Sequence, residues 1–144
     1  MTENPQSQHS ESRTRLSFED FELVRLPNGR ARIRVRMDWT QGRSYSGEAE
    51  GNQTLEGEVR AAAEAALEAA VGATQGELDL DLRGTKALRV FDSWVVVVMV
   101  RAWTADDPIQ LLGAYPCPND DTPRGAVLAV LDATNRVLER FLEE

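Results

Sequence analysis

From Arg30 to Trp39 apolar and polar residues alternate without a break, with Ala31, Ile33, Val35, Met37 and Trp39 on one side and Arg30, Arg32, Arg34, Arg36 and Asp38 on the other. A period of two is that of a strand with one buried face. Pro27-Asn28-Gly29 ahead of it predicts a hairpin turn, so Phe21, Leu23, Val24 and Leu26 read as a preceding strand or short helix, with order beginning near Leu16 or Phe18. Thr40-Gln41-Gly42-Arg43 turns the chain, and Ser44 to Gly51 returns as a further strand. The period then changes. Leu55, Val59, Ala62, Ala63, Ala66, Leu67, Ala70 and Val71 recur at helical spacing, with Gly72 as the stop. So much alanine on the buried side lets this helix lie close to a sheet or another helix.

The second half repeats the order. Leu78, Leu80 and Leu82 alternate with Glu77, Asp79 and Asp81, and Trp94 to Trp103 is a nearly continuous apolar run that predicts a strand covered on both faces. Asp106-Asp107-Pro108 breaks it, and Ile109 to Tyr115 is the returning strand. Asn119-Asp120-Asp121-Thr122-Pro123 leads into a last helix, with Thr122 as N-cap and Pro123 at its first position. That helix buries Val127, Leu128, Leu131, Thr134, Leu138, Phe141 and Leu142. The halves match at Trp39-Thr40 and Trp103-Thr104, at Gly47 and Gly113, and at Ala65-Ala66-Leu67-Glu68-Ala69 and Ala129-Val130-Leu131-Asp132-Ala133. The expectation is an α+β domain of two tandem βββα units, a pseudo-twofold duplication. Both helices pack on one side of antiparallel sheets, which form either one sheet or two. The first repeat covers about 18–72 and the second about 76–142, within a domain of 16–144. Residues 1–15, polar and without a large apolar side chain after Met1, read as a disordered tail.

Composition narrows the class. The chain has 144 residues, 42% hydrophobic and 28% charged, enough for a single domain with its own core. One cysteine, Cys117, forbids an intrachain disulfide; the N-terminus lacks the apolar core of a signal peptide, and no apolar run is long enough to span a bilayer. A cytoplasmic protein without membrane contact is the expectation. A net charge of −8 opposes nucleic-acid binding.

The second half also carries a family resemblance. Asp92-Ser93-Trp94-Val95-Val96-Val97, Leu112-Gly113-Ala114-Tyr115 and the helix from Ala126 to Arg136 resemble the strand, glycine strand and alanine-rich helix of the C-terminal regulatory domain of the 2-isopropylmalate synthase family. The likeness covers roughly residues 18–142. It implies a duplicated βββα fold that dimerises, and a domain that binds an end-product amino acid at the subunit interface. The family's catalytic barrel has no counterpart in this chain, and Cys117, flanked by Pro116 and Pro118, stands near the family's second glycine of the third strand.

Chemistry is sparse. The only histidine, His9, lies in the tail, so Ser-His and Cys-His arrangements lack a base and a zinc site lacks ligands. No phosphate-binding glycine loop is present. The expectation is no cofactor, no metal and no enzyme, the alternative being an enzyme that pairs two of the 24 Asp and Glu residues as acid and base. Arg32, Arg34 and Arg36, with Arg30, are candidate anion binders, roughly 7 Å apart along one face; alternatively Glu48 and Glu50 across the hairpin pair with them. Asp120 and Asp121 can offer oxygens to a cation, or charge to a helix N-terminus. With Gly113, Tyr115, Cys117, Trp94 and Trp103 they are the candidate ligand or interface residues. The strand Trp94–Trp103 asks for two covers, and the helices of one chain supply one; a second copy supplies the other. The expected function is a non-catalytic module, a homodimer that binds a small molecule such as an amino acid, or, alternatively, a structural dimerisation protein acting through protein contacts.

Overall fold

The computed structural model describes residues 16–39, 42–103 and 107–142; the tail at 1–15 and His9 lie outside them. Strands β1 (Leu16–Arg25), β2 (Arg30–Trp39) and β3 (Arg43–Asn52) are followed by helix α1 (Leu55–Ala73). Strands β4 (Asp79–Val90), β5 (Ser93–Trp103) and β6 (Pro108–Pro116) are followed by a short 3-10 turn, Pro118–Asp120, and helix α2 (Thr122–Leu142). Each unit makes its own antiparallel sheet, ordered β1-β2-β3 and β4-β5-β6. The open choice between one sheet and two is thus resolved as two, and the segment before Pro27 is a strand.

Each helix covers the inner face of its own sheet and also reaches the first strand of the other, α1 touching β4 and α2 touching β1, while the helices pack on each other. This reciprocal crossing joins the units into one core. Ile33, Val35 and Met37 of β2 and Val96, Val98 and Val100 of β5 are fully buried against the alanine faces of the helices, each such side chain contributing about 1.5–3 kcal/mol.

The duplication extends to irregularities. β1 is bulged between Phe18 and Asp20, and β4 between Leu82 and Gly84, at the corresponding place. Val35 faces Gly47 and Val98 faces Gly113 across their strand pairs. A Cβ on Gly47 would run into the carbonyl oxygen of Ala65 and lie 2.8 Å from Ala69 N; one on Gly113 would run into that of Ala129 and lie 2.7 Å from Ala133 N. The backbone N–H after each glycine donates to a helix carboxylate, Glu48 N to Glu68 Oε1 at 2.7 Å and Ala114 N to Asp132 Oδ2 at 3.1 Å.

Three local expectations are corrected. The Trp-Thr match fails, because the register that equates Val35 with Val98 equates Trp39 with Ala102, one position short of Trp103. The cap of α2 is Asp121, whose Oδ1 accepts from Arg124 N at 3.2 Å and whose carbonyl takes the first helical bond, from Gly125 N; a carboxylate serves the helix dipole there as a hydroxyl cannot. Helix α1 runs through Gly72 to Ala73 and leaves at Gln75 and Gly76, both with positive φ. The side chains of Trp39, Phe141 and Leu142 lie outside the description.

Candidate functional site

The arginine row stands on the outer face of the first sheet, and the hairpin register sets carboxylates among it. Arg32 Nε lies 3.7 Å from both Glu48 and Glu50, Arg34 3.9 Å from Glu22 and Glu48, Arg30 3.8 Å from Glu50, and Arg36 3.3 Å from Asp38. Charge is balanced within the face, as the cross-strand alternative expected. These pairs are exposed, so each contributes about 0.2–1 kcal/mol.

The outer face of the second sheet is different in kind. Val95, Val97 and Met99 are only half-buried, and Leu112 beside Met99 is 63% exposed. Trp103, exposed with Arg101 over its ring at 5.5 Å, closes one end of β5. At the other end the β4–β5 turn presents Phe91, 96% exposed. Trp94 turns toward the helix side, half-buried, with Arg89 5.5 Å over its ring. The second cover that the apolar run of β5 asks for is not provided by the described residues.

A cleft of about 640 Å³ opens where the N-termini of both helices meet the end of β1. Its walls include Phe21, Leu23, Leu55 and Pro123, and its charged groups are Arg25, Glu58, Asp120, Asp121 and Arg124. The inward alternation of β1 delivers Arg25 to the first turn of α1. There it makes a two-point pair with the buried Glu58, Nε to Oε2 at 2.9 Å and Nη2 to Oε1 at 3.0 Å. Hydrogen bonding to Glu58, and then its charge, raise the Arg25 pKa. Thr54 caps α1, its Oγ1 accepting from Gly57 N at 2.9 Å. Arg124 lies 3.1 Å from Asp121 and over the rings of Phe18 and Phe21. Each arginine of this cleft is thus matched to a carboxylate, Arg25 to Glu58 and Arg124 to Asp121.

Cys117 is buried beneath α2, where a Cβ on Gly125 would run into its sulfur. Burial pushes its thiol up, a backbone hydrogen bond with Val96 pulls against this, and Asp121 and Asp120 add to the rise. Such a thiol is a packing group and a poor nucleophile at neutral pH. Gly113 is likewise covered by its helix, so neither it nor Cys117 presents a surface. Asp120 and Asp121 reach the helix-terminus cleft, Tyr115 lines a different one, and Trp103 stands on the opposite face; the sequence candidates do not converge on one site. Among the described residues no group of three His, Cys, Asp or Glu is placed to hold a metal ion, and no helix is long and apolar enough to cross a membrane.

Two further clefts are repeat equivalents. One, of about 510 Å³, lies where β4 crosses α1 and is lined by Ala49, Glu64, Leu67, Glu68, Val71 and Leu80, with Arg60 also on its wall. The other, of about 370 Å³, lies where β1 crosses α2 and is lined by Tyr115, Leu128, Leu131, Asp132, Asn135 and Leu16, with Ser17. Asn135 holds the place of Val71. It is 8% exposed, and its Oδ1 is buried without a hydrogen-bond partner, at a cost of about 1–3 kcal/mol. Asn135→Val is therefore expected to raise stability by about 1 kcal/mol, read from the denaturant midpoint. Sequence reasoning gave no functional role to Asn135, Asp132, Glu58 or Leu112. The departure of Asn135 from its repeat partner was the one signal that could have found it. The chain matches no protein-family model and no curated protein sequence.

Proposed function

We propose that the chain is a non-catalytic binding module that works as a homodimer, joined through the outer face of the β4-β5-β6 sheet. The observation that supports this is the contrast between two repeat-equivalent faces. Where β2 carries arginines paired with glutamates, β5 carries Val95, Val97 and Met99. A contiguous apolar sheet face asks for cover, and its charged repeat equivalent does not. A second copy fits because two such faces are self-complementary across a twofold axis and stack about 10 Å apart as a sandwich. Three strands about 4.8 Å apart and about 30 Å long offer roughly half of the standard ~800 Å² per partner in projection. Phe91 and Trp103, exposed at opposite ends of the hairpin, add apolar surface to that area. The resemblance to the synthase regulatory domain supports the same reading, and with it a small-molecule ligand. The single thiol, buried and unpaired, suits the cytoplasm.

Light scattering at about 100 μM, well above a micromolar dissociation constant, should give twice the 16.0 kDa chain mass. Leu112→Lys changes a side chain already exposed in the protomer, so it should yield folded monomer with an unchanged circular-dichroism spectrum. A monomeric wild type, or a variant that stays dimeric, removes this interface. A thermal-shift panel of amino acids, 2-oxo acids, nucleotides and divalent ions tests the ligand half. A ligand at 100 times its dissociation constant stabilises by about 2.7 kcal/mol, whereas a flat panel on a stable dimer leaves the structural alternative.

A further inference from the structure

We propose that the cleft between the start of β1 and α2 binds a small primary amine as its ammonium ion. The inference deepens the small-molecule half of the proposed function. It does not depend on the dimer, because the cleft lies on the helix side of the sheets.

The duplication supplies an internal control. In the cleft between β4 and α1, Val71 fills the place of Asn135 and Arg60 sits 3.2 Å from Glu64, so that cleft holds its own cation and needs no amide. Packing at this crossing is satisfied by an aliphatic side chain. In the second unit Leu128 replaces Glu64, and the counterpart of Arg60 is Arg124, engaged with Asp121 and the β1 aromatics instead. Among the described residues Asp132 is thereby the one charged residue on the wall of its cleft, with an orphaned amide oxygen on the same wall. A carboxylate has lone pairs to spare after accepting from Ala114 N–H.

An ammonium group answers each of these features. Its three donors can serve Asp132 and Asn135 Oδ1 together, and its charge is of the sign that a chain of net charge −8 attracts. Oδ1 is out of solvent contact in the empty cleft. The last torsion of an asparagine side chain is soft, so the amide of a residue that lines this cleft can turn to meet a donor. Leu16, Leu128, Leu131 and the Tyr115 ring would cover an apolar body, and about 370 Å³ holds one aromatic ring with its amine. Each acceptor alone would be a weak signal. Together they define a cation site with an apolar lining.

The test is titration of the full chain with benzylammonium, with neutral benzyl alcohol as the shape-matched control, followed by amide chemical shifts. The expected result is saturable binding localised to Leu16, Tyr115 and Asn135, weakened about tenfold or more for the alcohol, for Asn135→Val and for Asp132→Asn. Asn135→Val installs the residue that the first unit carries at this place, Asp132→Asn is isosteric and its oxygen still accepts from Ala114 N–H, so both should fold as the wild type does. Absence of saturation, or saturation unchanged in Asn135→Val, overturns the site. If some other molecule of the thermal-shift panel then binds both variants equally well, the binding module stands and only this cleft falls.

Discussion

Replacing Gly113 by alanine should cost about 3 kcal/mol, the upper end of what overpacking causes, although the added group is one methyl. The reason lies across the sheet–helix interface. A Cβ at this position meets the Ala129 carbonyl oxygen, backbone of a helix that cannot shift without dragging its contacts with β5, β1 and α1. A flexible side chain in that place would step aside; a carbonyl in a helix cannot. Gly47→Ala, against Ala65, should behave alike. Gly84→Ala is the control, since within the protomer a Cβ there meets nothing within 4 Å; in the Leu112→Lys background, which leaves the Gly84 face uncovered, it should stay within about 0.5 kcal/mol. Urea midpoints at one fixed protein concentration make the comparison, because dimerisation would shift them by mass action. Equal midpoints for Gly84→Ala and Gly113→Ala would mean that the helix is not seated on the Gly113 backbone.

A double-mutant cycle at Cys117 and Gly125 should show a coupling of about 2 kcal/mol. In the first unit the strand offers Gly51 and the helix covers it with Ala61, whose Cβ would stand 3.3 Å from a Cβ on the glycine. In the second unit the sizes are exchanged. The strand offers Cys117, and the helix makes room with Gly125. Gly125→Ala alone gains about 1 kcal/mol of helix propensity but drives its methyl into the sulfur, so it should destabilise. Cys117→Gly alone leaves a void and a more flexible strand end. The double variant recreates the first unit's pair and should recover most of the loss. Additive single effects would show that the two residues do not share one space.

These contacts also show where the one-dimensional reading succeeded. The strand and helix pattern was legible because hydrophobic period is local: two along β2, a mixed helical spacing along α1 and an unbroken apolar run at β5. Gly47 and Gly113 announced the duplication because a close sheet–helix approach admits no side chain, and that constraint is written at one position. The match of Trp39 to Trp103 misled for a physical reason. Two like residues near equivalent turns read as equivalent, but strand register is set by pairing along the whole ladder, and the ladder places Ala102 opposite the expectation. The cap of α2 shifted by one residue in the same way, as Thr122 and Asp121 are both competent and only the path of the preceding turn chooses between them.

The chain's alternation and its repeats determined the βββα order, the α+β class, the inward apolar set and the demand of β5 for a second cover. Those properties follow from solvation of each segment by itself. The separation into two sheets, the crossing of each helix onto the other unit's first strand, the exchange of cysteine for glycine beneath α2 and the unpartnered amide of Asn135 were decided only in three dimensions. Each depends on which surfaces meet across a long span of chain, and contact between distant residues carries no period for a sequence to display.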